Sequence, residues 1–216
     1  MLHLEMPSLC IINAPQGRGK SHLIKYILYE LEPQLDFGIV FTNTSFNEGN
    51  YDFIERKYIH PNYNEDVLKS FMSICSGLIK RGVKKNAFVI LDDVLGDRLN
   101  ASQFLKLCTQ LRHYNIFVIV STQYSNAIPS NIRANAMYVI IFHQDTQRSL
   151  HALYDSYGQR FENFNAFKNF IMRRLGDHKF IFIDKKITGS IEDVFKIYKA
   201  PAKIPHFNVR YNLTVS

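Results

Sequence analysis

The residues of this 216-residue chain whose types and spacing could do chemistry begin with Ala14-Pro15-Gln16-Gly17-Arg18-Gly19-Lys20-Ser21. Glycines at 17 and 19 let a backbone turn back on itself so that its NH groups converge on an anion, and a helix opening at Lys20 adds the positive end of its dipole. In such a loop the lysine meets the β and γ phosphates of a nucleoside triphosphate, and the Ser21 hydroxyl ligates Mg2+. Pro15, Gln16, Gly17, Arg18 and Gly19 complete the candidate cradle. Ala14 stands where the pattern usually has its first glycine, a departure of one methyl group. Next is Ile90-Leu91-Asp92-Asp93. Asp92 is expected to hold the Mg2+ opposite the phosphates, directly or through water. Asp93, pointing to the other side of an extended chain, is expected to orient the attacking water; the alternative is a turn or helix cap. Gln123 follows an apolar strand and is expected to sense the γ phosphate.

Strands and helices must bring these groups together. Leu9-Cys10-Ile11-Ile12-Asn13 reads as the strand entering the loop, and Leu23, Ile24, Ile27, Leu28 and Leu31 recur at helical spacing until Pro33. A second strand is expected at Phe37–Thr42, followed by a long polar loop over 43–63 with a short strand at 58–59. Val67, Leu68, Phe71, Ile74, Leu78 and Ile79 predict a helix that closes in the basic turn 80–85, which is either a solvated surface or a DNA contact. Ala87-Phe88-Val89-Ile90-Leu91-Asp92 is a buried parallel strand with charge at its carboxyl end, where open α/β sheets bind ligands. Phe104, Leu107, Cys108 and Leu111 share a helical face that Asn100 and Gln103 could cap. Strands at 116–122 and 137–142 follow, then helices over 146–157 and 161–175, and a strand over 178–184. Between Lys20 and Asp92 there is room for a strand inserted between the loop strand and the acidic strand, the layout of RecA-like ATPases. Arg112 precedes the strand that delivers Gln123. It therefore belongs at the amino edge of the sheet, away from its own nucleotide, and could serve a neighbour's.

A net charge of +7 favours a polyanionic partner. No apolar run approaches the ~20 residues needed to span a bilayer. The amino terminus lacks the basic and apolar regions of a signal peptide, so the expectation is an intracellular protein. Cys10, Cys75 and Cys108, odd in number and each among apolar neighbours, read as buried thiols. One ATPase domain is expected over 1–185, with a basic extension over 186–216.

Taken together, the segments 14–21, 90–93, 111–116, 121–123 and 128–136 resemble the FtsK-HerA superfamily. Within it the chain looks most like the genome-packaging ATPases of poxviruses and other large DNA viruses and virophages, over about residues 8–145. The resemblance implies an α/β P-loop NTPase with a RecA-like (ASCE) parallel sheet and helices on both faces, using ATP and Mg2+. It implies a ring-shaped homo-oligomer that pumps double-stranded DNA into a preformed capsid, with a capsid or vertex protein as partner and a virion or viral factory as location. Arg112 matches the family's trans-acting arginine finger. Arg133, expected near the carboxyl edge, is the second candidate as a sensor in cis. Either arginine could instead pair with a surface carboxylate. Rival readings are a small-molecule kinase on the same loop and a nucleotide-binding switch without turnover.

Overall fold

The structure, a computed structural model, describes residues 2–43, 49–94 and 102–211. Its strands are β1 (Leu9–Asn13), β2 (Phe37–Thr42), β3 (Ile59–Pro61), β4 (Ala87–Asp92), β5 (Ile116–Thr122), β6 (Tyr138–Phe142), β7 (Lys179–Asp184) and β8 (Phe195–Lys199). The helices are α1 (Lys20–Leu31), α2 (Glu65–Lys80), α3 (Ser102–Thr109), α4 (Ser130–Asn135), α5 (Gln147–Tyr157), α6 (Phe164–Arg174) and α7 (Ile191–Val194). All the strands join one sheet in the order β3-β2-β4-β5-β1-β6-β7-β8. β5 thus stands between the loop strand β1 and the acidic strand β4, as the RecA-like layout requires.

The expected all-parallel sheet is mixed at one end. β1 to β6 pair in parallel, whereas β7 pairs antiparallel with β6 and β8 antiparallel with β7. The reason is that two helices, α5 and α6, separate β6 from β7. An even number of passes leaves the chain at the carboxyl edge, where Phe180 lies opposite Phe142, so the next strand can only run back.

β1, β4, β5 and β6 are buried along their whole lengths, which explains why they read as continuous apolar runs. Alternate residues serve opposite faces. Leu9, Ile11, Val89 and Leu91 pack beneath the apolar sides of α2 to α6. Cys10, Ile12, Phe88 and Ile90 pack against α1 through Leu23, Ile24, Ile27 and Leu28. The cysteines are free and buried, and burial pushes the Cys75 thiol up to about 12.

The inward face of α2 departs from its expected phase. Leu68, Phe71, Met72, Cys75 and Leu78 are buried, while Ile74 is 52% and Ile79 39% exposed. The apolar residues of this helix straddle two adjacent stripes of 3–4 spacing, and packing against β2 and β4 selects the one that carries Met72 and Cys75.

Helix starts divide by task. α2, α5 and α6 begin under Asn64, Thr146 and Asn163, whose side chains accept from first-turn NH groups, and α7 opens with a Ser190–Asp193 capping box. The first turn of α3 is capped from α2, Glu65 Oε1 accepting from Ser102 Oγ and Gln103 N at 3.0 Å each. Asn100, the expected cap, lies outside the described residues. α1 has no side-chain cap and no acid in its first turn, beginning after Gly19 at φ 91°. Its first NH groups remain available for an external acceptor.

From residue 186 the chain adds α7 and the edge strand β8 to the same sheet, and the following segment folds back over the α1 face. Phe207 stacks on Phe53 at 4.7 Å and Tyr211 on Tyr58 at 3.7 Å between ring centroids. Val209 N donates to Phe53 O at 3.0 Å and the Tyr211 hydroxyl to Gly38 O at 3.1 Å. The basic extension expected over 186–216 thus packs, as far as residue 211, on the same sheet. This segment covers the protein's own sheet, because α1 alone leaves that face too bare.

Candidate active site

The loop from Pro15 to Gly19 rises from the carboxyl end of β1 and is open to solvent, while Lys20 is 9% exposed. Gly17 and Gly19 both hold positive φ, 74° and 91°, a conformation that side chains with a Cβ resist. A methyl on Gly19 would also press on His178 Nδ1 at 3.3 Å. Ala14, at the place of the missing first glycine, is buried, and its NH donates to Thr122 O at 3.0 Å. There the fold needs only a small residue. Arg18 reaches sideways to an ion pair with Asp145.

Lys20 Nζ is in contact with Asp93 Oδ2 and stands 3.9 Å from Asp92 Oδ1. Gln123 Nε2 donates to the same Asp93 oxygen at 3.3 Å. The lysine, both aspartates and the glutamine thus meet in one pocket at the carboxyl edge of β1, β4 and β5. Asp93 reaches it by a route other than the expected strand alternation. β4 ends at Asp92, and Asp93 adopts φ 54°, a left-handed turn that aspartate tolerates better than most residues. That turn swings its carboxylate back beside that of Asp92.

Asp92 is 2% exposed, and a carboxylate so placed must be hydrogen-bonded. Ser121 Oγ donates to Oδ1, and the Tyr51 hydroxyl donates to Oδ2 at 2.9 Å. Burial, and then the neighbouring Asp92 charge, hold the Tyr51 phenol well above its ordinary pKa, so it remains a donor. Asn43 Nδ2 fixes the Asp93 carbonyl at 2.9 Å. Sequence reasoning gave none of these three supports a role. Ser121 pairs with Asp92 across β4 and β5, a fact that needs the register, and Tyr51 comes from an irregular segment with no motif. The Asp92 carboxylate and the Ser21 hydroxyl are hard oxygen donors of the kind Mg2+ takes beside phosphate and water. Among the described residues no cluster of three or more His, Cys, Asp or Glu offers a self-sufficient metal cage.

The two arginines lie elsewhere. Arg112 sits in a single 3-10 turn, Leu111–His113, between α3 and β5. It lines a hollow of about 360 Å³ with Pro7, Ser8, Asn135 and Met137 at the amino edge, as the order of elements required. Arg133, expected near the carboxyl edge, has its backbone at the amino edge. Its carbonyl accepts from Lys185 Nζ at 2.6 Å, just below β6 and β7. Its guanidinium donates to Ile128 O, and to Ser125 O at 3.4 Å. The structure does not bring it together with Lys20 and the acids: α4 carries the chain down from Gln123 to the start of β6, and Arg133 is one of its last residues.

The chain is similar to several viral proteins. An uncharacterised protein of Invertebrate iridescent virus 6 is 26% identical over 208 residues, covering 94% of this chain and 80% of its own length. An uncharacterised protein of Acanthamoeba polyphaga mimivirus is 27% identical over 218 residues, with 94% and 76% covered. In fold, the chain is similar to the genome packaging NTPase B204 of Sulfolobus turreted icosahedral virus 2, solved with sulfate. The TM-score is 0.67 at 15% identity, covering 93% of this chain and all of that one. No described helix is long and apolar enough to cross a membrane. The family model described as Poxvirus A32 protein matches residues 4–156, and the chain belongs to that family.

Proposed function

We propose that this protein is an ATP-driven double-stranded DNA translocase that packages a viral genome into a preformed capsid. The observation that carries the reading is the Lys20 ammonium shared between Asp92 and Asp93, with Gln123 on the same carboxylate. A triphosphate on the loop competes with Asp93 for Lys20. Once the γ phosphate holds the ammonium, the Asp93 carboxylate is free to orient water and Gln123 to contact the phosphate. Asp92 and Ser21 would hold Mg2+, which would supply neutralisation of the charge developing on the phosphates. Arg112 completes the pocket of a neighbouring subunit, a role supported by its position at the opposite edge of the sheet from its own Lys20. A net charge of +7 supports contact with the DNA backbone, and the packaging role named for the fold relative B204 supports the task. Contact should be blind to sequence, because a pump must move along any sequence.

The test is the ATPase rate of the purified protein with and without double-stranded DNA, measured beside its oligomeric mass. DNA stimulation by a ring-sized species is expected; phosphoryl transfer to a small acceptor with no DNA effect would replace the motor with a kinase. Lys20→Ala should abolish turnover. An arginine finger contributes ~10³-fold or more to hydrolysis, so Arg112→Ala should be nearly inactive alone. Mixing it with Lys20→Ala subunits should restore activity at interfaces that pair an intact loop with an intact arginine. No recovery at any ratio would rule out action in trans.

A further inference from the structure

The outer side of α2 and the basic turn that follows it form a surface to which the nucleotide pocket gives no task. Lys69, Ser70, Ser73, Gly77 and Arg81 recur at helical spacing and line an open groove of about 630 Å³, together with Ile74. Gly77 keeps the groove clear. A methyl there would lie 3.8 Å from Arg81 Nη1, so the guanidinium folds back along the helix over the glycine. Ile74 is 52% exposed, an apolar side chain left in water among cations. Lys80 projects from the same side of the helix as Lys69, by 3–4 spacing, and Lys84 follows in the turn. Lys69, Lys80, Arg81 and Lys84 are exposed and meet no carboxylate among the described residues. By contrast, Lys25, Lys85, Lys186 and Lys199 are each matched by an acid.

Cations in the last turn of a helix also complement its dipole. That accounts for Lys80 and Arg81, but for neither Lys69, three turns earlier, nor Lys84, beyond the helix end. The rise from Lys69 to Arg81 is ~18 Å at ~1.5 Å per helical residue, a length over which a duplex presents about ten phosphates on its two strands. Lysine, arginine and serine are the side chains that commonly hold phosphate oxygens. We propose that this side of α2 and the turn after it grip the backbone of double-stranded DNA, the cations and both serine hydroxyls on phosphates and Ile74 against the sugars. The assignment rests on the translocase reading above and gives its DNA contact a place. Asp66, the one acid lining the groove, lies a turn before Lys69, so the footprint runs from Lys69 towards Lys84. With its polar groups committed to phosphate, the face carries no means of choosing a sequence.

The experiment follows binding of a fluorescent duplex of random sequence by anisotropy over a range of salt concentrations, with Mg2+ and the β,γ-methylene analogue of ATP present. Lys69→Gln with Arg81→Gln removes two exposed cations without entering the core, and an unchanged thermal midpoint checks the fold. The logarithm of affinity falls with that of salt by about 0.9 per phosphate neutralised. The slope of the double variant should therefore be shallower by about 1.8, with binding weakened alike for every sequence. Lys69→Arg with Arg81→Lys should keep the parent's slope. So should Lys57→Gln with Lys196→Gln, which removes the same net charge from other surfaces. An unchanged slope in the folded Lys69 and Arg81 double variant overturns the face. An equal loss in the Lys57 and Lys196 control overturns it too, since binding would then follow net charge alone. A parent protein that binds no duplex at any salt concentration removes the translocase reading itself, and the face with it.

Discussion

At the scale of single residues, the pocket is defined as much by what braces the acids as by the acids. Asp92 accepts from Ser121 on one oxygen and from Tyr51 on the other. Removing one donor from a buried carboxylate costs about 1–3 kcal/mol. Tyr51→Phe should lower the stability read by urea unfolding by that amount. It should also slow hydrolysis, because Asp92 then loses one of the two donors that fix its carboxylate. A variant as stable and as active as the parent would show that the hydroxyl does not orient the acid. That Lys20, Asp92, Asp93 and Gln123 meet was legible in the sequence from the loop and the apolar strands that carry them. Tyr51 was not, since it lies 41 positions from its partner and nothing local distinguishes it from any other buried tyrosine. Asp93 shows a subtler limit: its residue type was readable, but the left-handed turn that returns it to the pocket depends on where β4 stops. Arg133 shows another, because α4 carries its backbone to the amino edge while its guanidinium turns back to Ile128 O and Ser125 O.

At the scale of elements, the Phe88 ring of β4 lies over its partner Gly38 on β2, where a side chain would collide with it. A Cβ there would stand 2.4 Å from the Phe88 ring. Gly38→Ala should cost about 1–3 kcal/mol as overpacking, and Phe88→Leu in the same chain should recover part of it. An additive double variant would show that the two residues do not collide. Central strands were readable because burial on both faces writes an unbroken apolar run. β8 was missed although Phe195-Lys196-Ile197-Tyr198-Lys199 alternates as an edge strand should, since the basic residues around it suggested a solvated tail. The phase of α2 was missed for the converse reason: too many apolar residues on one helix leave the choice of face to the packing.

At the scale of the whole molecule, the α1 face of the sheet is closed by chain from both ends, with Leu2 and Leu4 beside Val209 in one cluster. Val209 is 5% exposed, and Phe207 and Tyr211 stack on the segment that carries Tyr51. Ending the chain after Lys199 should therefore lower the thermal midpoint sharply and weaken nucleotide binding, with Val209→Asp as a milder form of the same injury. A truncated chain with unchanged midpoint and affinity would show that the segment lies on the sheet without supporting it. The segment 200–211 also finishes the surface beneath Phe53 and the wall beside His22. Its rings rest on the stretch whose Tyr51 hydroxyl holds the Asp92 carboxylate, so the seating of this segment and the aim of that acid should be lost together.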